Sequence, residues 1–473
     1  MCGFIFTHSK KQFTREELLN ANTFIKFRGP TRTSIMSIQV KSGMHISMLH
    51  NLLDISGQQA EQPVMKDDSY LLFNGEIYNY KELNEASSDT YSLMNYYVTN
   101  GKFGDALDGE FVVLVYDSRE CKLKVITDPF LTKPVFFGRS DDPAEFACAS
   151  YPSALRELGF HHILNAQPNT TYEICLSNAS ISMSENYPTH VFNINQHVKK
   201  YDDWCDAFIE AVRKRAKHGS HAPFMALSSG YDSGCIALAL KLLNIKFNTY
   251  TMMIGENHDV INDRYTYLGD LVNHKYLIQP ISKSEISKLK SSALERIENI
   301  SYYHDDGSGP INLISDPGSL GAYLIAQRAF EEGETVNLSG SGGDEIYSDY
   351  GSNGKKFIQH SEFGGLYPDV LQGFFPWKKF YGNTQRSYLL KEELVYGAFG
   401  IESRYPFLDK SVVDQFLILS SELKNACYKA PLDYFLKKYD FPFEQNTKRG
   451  FSIKKPPLPR RLKQYLKSYF KRN

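Results

Sequence analysis

Segments typical of buried strands alternate with segments typical of helices from about residue 200 to residue 338. Strands are predicted at 223–227, 248–254, 275–278 and 335–338. Helices are predicted before and between them, at 204–215, 234–243, 263–273, 283–297 and 319–332. This alternation predicts a parallel sheet with helices on both faces. Ligands of such sheets bind at the carboxyl ends of the strands, so a site is expected in the loops that follow them.

The first half of the chain has a different pattern, in which short strand-like runs alternate with turns. Strands are predicted at 3–6, 69–73, 110–117 and 123–127, and helices at 16–27 and 90–98. Asn74-Gly75 and Asp108-Gly109 are dipeptides typical of turns. A polar stretch at 186–200 separates the halves. We therefore expect two domains, 1–195 of layered α+β class and 200–473 of α/β class.

Composition and charge exclude several classes of protein. The 473 residues carry a formal net charge of −1, which gives no overall attraction to nucleic acid or to an anionic membrane. No apolar run approaches the roughly 20 residues of a transmembrane helix, and the N-terminus has no apolar signal segment. The seven cysteines include no CxxC pair, which argues against a disulfide framework or a zinc ribbon. A reducing cytoplasm is the expected location.

Cys2 is the first candidate for a catalytic residue. Removal of Met1 would give it a free α-amine, whose ordinary pKa is about 7.7–8.0. Such an amine can accept the thiol proton of the same residue, so no distant base is needed to generate a nucleophile. Asn74 and Gly75 offer an amide side chain and a backbone N–H, which together suit an oxyanion hole for acyl transfer. The alternative for these two residues is a hairpin turn.

Two Gly/Ser/Asp loops follow predicted strands in the second half. The first, SSGYDS at 228–233, opens a helix and offers hydroxyls and backbone N–H groups to an anion. It lacks the GK[ST] ending of a Walker A loop and suits pyrophosphate. The second, SGSGGDE at 339–345, is predicted to face the same cleft. Asp232 and Asp344 could then share Mg²⁺ between ATP phosphates, and two flexible loops without a ligand are the alternative.

Eight motifs along the chain resemble those of the glutamine-hydrolysing asparagine synthetases and of their relatives, the β-lactam synthetases. They are MCGF at 1–4, RGP at 28–30, NGEIYNY at 74–80, SSGYDS at 228–233, SDPGSLGAYL at 315–324, SGSGGDE at 339–345, GIESRYPFLD at 400–409 and KRGF at 448–451. For the fold, this resemblance implies an N-terminal-nucleophile (Ntn) hydrolase domain, the αββα sandwich of class II glutamine amidotransferases. It also implies a second domain of the parallel-sheet PP-loop ATP pyrophosphatase type.

For function, the resemblance implies an ATP-dependent amide synthetase of the kind that serves asparagine biosynthesis. Glutamine would be hydrolysed at the first site, and the ammonia would pass inside the protein to the second. There ATP would adenylate a carboxylate acceptor with release of pyrophosphate, and ammonia would displace AMP. ATP and Mg²⁺ are the expected cofactors, and the resemblance suggests a homodimer. No nucleic acid or membrane partner is expected.

The resemblance also implies roles for individual residues of the glutaminase site. Cys2 would be the nucleophile, with Asn74 and Gly75 as the oxyanion hole. Glu76 and Asp89 would bind the α-amine of glutamine.

In the synthetase site, the resemblance implies that Asp232 and Asp344 bind the metal and that Lys448 neutralises charge as acyl-AMP forms and breaks. Glu393 aligns with an acidic residue of the family and would be catalytic. The residues expected to bind ATP and pyrophosphate are Leu227, Ser228, Ser229, Gly230, Asp232, Ser233, Ile254, Ser339 and Gly340.

Three positions depart from the family pattern. Leu52 stands where the family has the arginine that holds the glutamine carboxylate, and Arg28 and Lys26 are the candidate substitutes. Ser341 replaces a glutamate near the acceptor, where β-lactam synthetases have tyrosine. Leu394 replaces the arginine that usually follows the acidic residue. We therefore expect the ATP elements to be retained and the acceptor to differ from aspartate.

Three hypotheses follow. The first is a glutamine-dependent amide synthetase acting on aspartate, a specialised metabolite or a sugar acid. The second keeps the adenylating half but takes nitrogen from free ammonia or from the substrate's own amine, with the N-terminal domain inactive or structural, as Leu52 suggests. The third is a catalytically silent relative that binds a nucleotide or a partner, against which the intact Cys2, Asp232 and Lys448 argue.

Overall fold

The computed structural model describes residues 2–55, 60–177, 180–218, 221–303, 309–348, 351–352, 355–356 and 365–447. Lys448, with the rest of the KRGF motif, lies outside these residues, so its predicted role stays a prediction.

Two antiparallel sheets make up the first half of the chain. The strands are β1 (Gly3–Ser9), β2 (Arg32–Gln39), β3 (His45–Leu52), β4 (Val64–Lys66), β5 (Ser69–Ile77), β6 (Gly109–Asp117), β7 (Lys122–Thr127), β8 (Phe136–Arg139), β9 (Phe146–Ala149), β10 (His162–Asn165), β11 (Thr170–Cys175) and β12 (Ser182–Pro188). The helices are α1 (Arg15–Ala21), α2 (Tyr80–Leu83), α3 (Asp89–Asn100) and α4 (Pro152–Glu157). The first sheet has the strand order β10-β8-β9-β1-β3-β2, and the second β12-β11-β7-β6-β5-β4.

The two sheets pack face to face because apolar side chains alternate along their strands. Phe4 and Phe6 of β1 belong to the same buried core as Leu114 of β6, between the sheets. Ile5, whose side chain points the other way, packs in the cluster that contains Leu18 of α1. Helix α3 covers the outer face of the second sheet in the same manner. The predicted αββα sandwich is confirmed.

The dipeptide Asn74-Gly75 lies inside a strand and forms no turn, so the turn interpretation is wrong. Strand β5 continues to Ile77, and Gly75 pairs with Phe111 of the antiparallel strand β6. Gly109 opens β6 and is paired with Ile77. Cross-strand pairing along the whole of β6 therefore overrides the local turn preference of both dipeptides.

Strands and helices alternate through the second half. The strands are β13 (Phe224–Ala226), β14 (Phe247–Met252), β15 (Val272–Ile278), β16 (Ser301–Tyr303), β17 (Pro310–Asn312), β18 (Val336–Leu338), β19 (Gly351–Ser352), β20 (Lys355–Lys356) and β21 (Glu402–Arg404). The helices are α5 (Asp202–Lys217), α6 (Tyr231–Leu242), α7 (His258–Leu268), α8 (Lys283–Arg296), α9 (Pro317–Glu331), α10 (Lys378–Tyr381), α11 (Asn383–Gly397), α12 (Lys410–Leu417), α13 (Ser421–Asn425) and α14 (Ala430–Lys438).

The central sheet of this half is parallel, as predicted, in the order β15-β14-β13-β18-β21. Met225 of β13 faces a core that contains Trp204 of α5, whereas its neighbour Phe224 faces a core that contains Tyr323 of α9. Helices therefore cover both faces. One helix differs from the prediction: α7 begins at His258 because the side chain of Asn257 caps its first N–H groups, and it ends at Leu268.

The stretch between the halves is packed against the second half. His190 Nε2 lies 2.9 Å from Asp414 Oδ2 of α12, Phe192 is buried, and Val198 forms an isolated bridge with Leu419. The polar composition at 186–200 indicates a joint, and these contacts fix it in place. The limits 1–195 and 200–473 for the domains stay predictions. None of the helices in the described residues has the length and apolar character needed to cross a bilayer.

Candidate active sites

Cys2 lies at the amino end of β1, which contacts β5 across the sandwich. Its carbonyl oxygen accepts a hydrogen bond from Arg28 Nε (2.8 Å). Cys2, Gly75, Glu76 and Asp89 line one cavity of about 30 Å³. Burial raises the pKa of the Cys2 thiol to about 11, so a base must remove its proton before it can act as a nucleophile. The structure thus brings together these four residues of the predicted donor site.

Asn74 is fully buried, and neither atom of its side-chain amide has a hydrogen-bond partner within the described residues. It shares a strand face with Leu72, which packs toward the first sheet, since side chains alternate along a strand. The next residue, Gly75, has a φ of +134°, and a Cβ there would lie 1.9 Å from the Glu110 carbonyl oxygen. Only glycine fits at this position. A buried amide without a protein partner is suited to an oxyanion hole.

Two buried carboxylates, Glu76 and Asp89, lie close together in this cavity. Burial, with the nearby charge of Glu76, raises the pKa of Asp89 to about 7. His218 Nε2 lies 2.6 Å from Glu76 Oε2, and Arg404 Nη2 lies 3.5 Å from Glu76 Oε1. Both basic residues come from the second half of the chain. The sequence analysis missed them because no local signal connects them with residue 76.

The residues that line this cavity include carboxylates but no Lys or Arg side chain within the described part of the chain. The carboxylates are Asp54, Glu76, Asp89 and Glu402. Leu52 is part of the lining. The guanidinium of Arg28 is bound to the Cys2 carbonyl, Tyr151 and Glu393, and Lys26 lies over the ring of Phe27. Neither candidate substitute therefore takes the place of the expected arginine.

A second, larger cleft of about 390 Å³ opens where strands β13 and β18 end. The predicted ligand-binding residues that line it are Leu227, Ser228, Asp232, Ser233, Ser339, Gly340 and Asp344. Three others do not line it. Ser229 bonds Glu256 through both its N–H and its hydroxyl, Gly230 is the N-cap of α6, and Ile254 is buried in an apolar core.

The loop at 228–233 is held by its own serines and by Arg264 of α7. Ser233 Oγ accepts a hydrogen bond from the Ser228 N–H (3.1 Å). Arg264 donates to the carbonyl oxygens of Ser228 and Gly230. Burial lowers the pKa of Arg264 to about 10, so the guanidinium is charged at neutral pH. The loop carbonyls, which would repel a phosphate, are thus bound by a cation.

Lys429 joins the two predicted metal ligands. Its Nζ lies 2.5 Å from Asp232 Oδ1 and 2.8 Å from Asp344 Oδ1, and its side chain is buried. A Cβ at Gly343 would lie 2.4 Å from Asp232 Oδ1, so glycine lets the second loop approach this carboxylate. The sequence analysis missed Lys429; Pro431, in the first turn of α14, is a signal for the helix start that positions it. Paired carboxylates of this kind suit Mg²⁺.

Family models match both halves of the chain. One described as "Glutamine amidotransferase domain" matches residues 1–196, and one described as "Asparagine synthase" matches residues 203–380. A putative asparagine synthetase (glutamine-hydrolysing) of Methanocaldococcus jannaschii is 26% identical over 464 residues, which covers 90% of this chain and 80% of the relative. A probable asparagine synthetase of Acanthamoeba polyphaga mimivirus is also 26% identical, covering 93% of this chain and 81% of the relative. The chain belongs to the glutamine-hydrolysing asparagine synthetase family.

Among solved structures, glutamine phosphoribosylpyrophosphate amidotransferase from B. subtilis aligns with 58% of this chain and 81% of its own, at 12% identity and a TM-score of 0.32.

This member of the asparagine synthetase family departs from the expected pattern at the far end of the second cleft. Ser341 Oγ donates a hydrogen bond to Glu392 Oε1 (2.8 Å), and both residues line the cleft. Glu392 Oε2 is buried without a hydrogen-bond partner within the described residues. Burial raises the pKa of Glu392. Lys391 also lines the cleft, with its Nζ 3.4 Å from Asp316 Oδ2. One acid and one cation thus face the space expected for the acceptor.

Glu393, predicted to be catalytic, is placed elsewhere. It is fully buried between the halves, where its carboxylate accepts hydrogen bonds from Arg28 Nη2 (2.8 Å), Lys133 Nζ (3.1 Å) and Tyr405 Oη (3.0 Å). It is not among the described residues that line the cleft. Neighbouring residues of a helix point about 100° apart, so Glu392 and Glu393 cannot face the same site.

Proposed function

We propose that this chain is an ATP-dependent amide synthetase that adenylates a carboxylate acceptor and transfers to it ammonia released from glutamine. The observation that carries the proposal is the pairing of two cavities in one chain. One contains Cys2 beside a buried amide and two carboxylates, and the other contains Asp232 and Asp344 at the ends of parallel strands. The first is suited to acyl transfer and the second to a nucleotide with its metal ion.

In the donor half, removal of Met1 would leave the α-amine of Cys2 as the base for its own thiol. The thiolate would attack the glutamine carboxamide, and the resulting oxyanion would be held by Asn74 and the N–H of Gly75. Collapse of this intermediate would break the C–N bond and release ammonia, and water would then hydrolyse the thioester to glutamate. Glu76 and Asp89 would bind the donor's amine.

In the synthetase half, the loop at 228–233 would hold the pyrophosphate portion of ATP. Mg²⁺ between Asp232 and Asp344 would supply charge neutralisation to the phosphates, as Lys429 supplies it to the two aspartates here. An oxygen of the acceptor carboxylate would attack the α-phosphorus and expel pyrophosphate. Ammonia would then attack the acyl carbon, and AMP would leave with the oxygen that came from the acid. We assign the acidic role near the acceptor to Glu392, since it lines the cleft.

The test is a screen of carboxylic acids, beginning with aspartate and including sugar acids, with ATP, Mg²⁺ and either glutamine or ammonium. Glutamine should support formation of AMP, pyrophosphate and glutamate together. With ¹⁸O in the acid, the label should appear in AMP. Label in inorganic phosphate alongside ADP would refute adenylation, and no AMP with any acid would favour a catalytically silent relative.

The second candidate function is a synthetase that uses free ammonia or an amine of its own substrate. The observation that favours it is the donor cavity, whose described lining has no Lys or Arg to hold a glutamine carboxylate. Cys2→Ala separates the two candidates, with Cys121→Ala in the turn between β6 and β7 as the matched control. Loss of glutamine-supported turnover with retention of ammonium-supported turnover supports the first. Glutamine-supported turnover that is equal in both variants supports the second. A homodimer and a cytoplasmic location stay predictions.

A further inference from the structure

His218 is a residue of the second half of the chain that reaches the donor cavity of the first. It follows α5, and its Nε2 lies 2.6 Å from Glu76 Oε2. One ligand-type atom from each of Glu76, Asp89 and His218 lies within 4.8 Å of the other two. The imidazole meets Tyr78 and Tyr80 edge-on, with ring centroids 5.3 and 5.9 Å away. These contacts hold the imidazole beside both carboxylates.

The charge at this position matters because Glu76 and Asp89 are the two groups assigned to the donor's amine. Although burial opposes it, the attraction of Glu76 raises the pKa of His218, so the ring is a cation over more of the neutral range. Arg404 adds a second positive charge 3.5 Å from Glu76. The protein therefore already supplies the positive charge that a donor's ammonium would otherwise provide.

The size of the cavity leads to the same conclusion. Its volume is about 30 Å³, which is room for at most a few water molecules. Glutamine has ten non-hydrogen atoms, so it cannot enter this cavity as it stands. A donor with an amino group must take the Glu76–Asp89 pair from His218, and each contact that it gains replaces one that is lost.

We propose that His218 is a specificity-determining residue of the donor pocket, occupying the place of the donor's ammonium group. This proposal rests on the proposed function, because it assumes that Cys2 cleaves a carboxamide. It has a consequence for specificity: the amino group of glutamine adds little net affinity in the native protein. A carboxamide donor without an amino group is therefore used nearly as well as glutamine.

The experiment compares two donors in two variants. The donors are L-glutamine and 5-amino-5-oxopentanoate, which is glutamine without its amino group, and the measured quantity is kcat/KM for ammonia release. His218→Asn removes the cation while keeping a similar size. His190→Asn, which removes a similar histidine–carboxylate contact (2.9 Å to Asp414) away from the cavity, is the matched control. Both variants are first checked for native thermal unfolding.

In the wild-type protein and in His190→Asn, we expect the two donors to be used within about threefold of each other. In His218→Asn, we expect the preference for glutamine to rise about tenfold, mainly through a lower KM, because a charged hydrogen bond to the amine then becomes a net gain. A structural role for His218 would change both donors equally and would not produce this difference.

Three results would overturn the proposal. They are an unchanged ratio of the two donors in His218→Asn, a loss of both activities in that variant, and a lack of ammonia release from either donor in every variant. The same samples are assayed for AMP release with ammonium as the nitrogen source. AMP release with ammonium would leave the synthetase half of the proposed function standing even if the His218 proposal failed.

Discussion

Replacing Glu393 by glutamine is predicted to destabilise the protein while leaving the chemistry of the second cleft largely intact. The Glu393 carboxylate is fully buried and accepts hydrogen bonds from Arg28, Lys133 and Tyr405. Arg28 also holds the Cys2 carbonyl, so this cluster ties the start of β1 to helix α11. The substitution keeps the shape of the side chain and removes its charge.

The expected size of the effect follows from the charges that remain. Arg28 and Lys133 would lose the carboxylate that they share, and the next acidic atom, Glu110 Oε2, lies 3.6 Å from Lys133. Removing one partner of a buried ion pair costs about 3–5 kcal/mol. At about 2–4 °C per kcal/mol for a domain of this size, the midpoint of thermal unfolding should fall by about 6–20 °C.

The assay pairs thermal unfolding with ammonium-supported AMP release, measured below the lower midpoint. Glu392→Gln is the matched control, because Glu392 is the adjacent acid and lines the cleft. Burial raises the pKa of Glu392, so an amide replaces a carboxyl group that is more readily protonated, and the midpoint should change by about 2 °C or less while AMP release falls. Native unfolding of Glu393→Gln together with lost AMP release would refute this reasoning and support a catalytic Glu393.

Three further predictions concern single residues. Gly75→Ala should lower stability by about 2–4 kcal/mol and abolish glutamine-supported turnover, because its Cβ would lie 1.9 Å from a carbonyl oxygen; normal unfolding would contradict this. Lys429→Met should reduce ammonium-supported AMP release about 100-fold, because two buried carboxylates lose their shared cation, and an unchanged rate would refute the assignment. Burial lowers the pKa of His50 from 6.5 to about 4, so the unfolded chain binds a proton first, and about 3 kcal/mol of stability should be lost as the pH falls from 6.5 to 4. His50→Gln should flatten that pH dependence of the unfolding midpoint.

The sequence predicted most elements of the second half because their signals are local. Helix α8 was expected at 283–297 and runs Lys283–Arg296, and its start is set by the capping box of Ser282 and Glu285. Strand β14 was expected at 248–254 and runs Phe247–Met252. The side-chain periodicity and capping residues of such segments are contained in the segment itself, so they can be interpreted without the fold.

Elements whose form depends on a distant partner were predicted less well. Asn74-Gly75 has the composition of a turn, yet it continues β5 because each residue has a partner on β6. The polar stretch at 186–200 has the composition of a linker, yet His190 and Phe192 are packed against the second half. Local preference is weak compared with the pairing and burial that the rest of the chain provides.

The sequence by itself determined the family, the two kinds of fold, and the positions of Cys2, Asp232 and Asp344, since motifs and periodicity are properties of neighbouring residues. Only the tertiary structure decided which of two adjacent glutamates lines the acceptor end of the cleft. It also decided that His218 lies beside Glu76 and that Lys429 joins the two aspartates. These contacts link residues 142 to 197 positions apart along the chain, or 85 for the second aspartate, and nothing local to either partner specifies them.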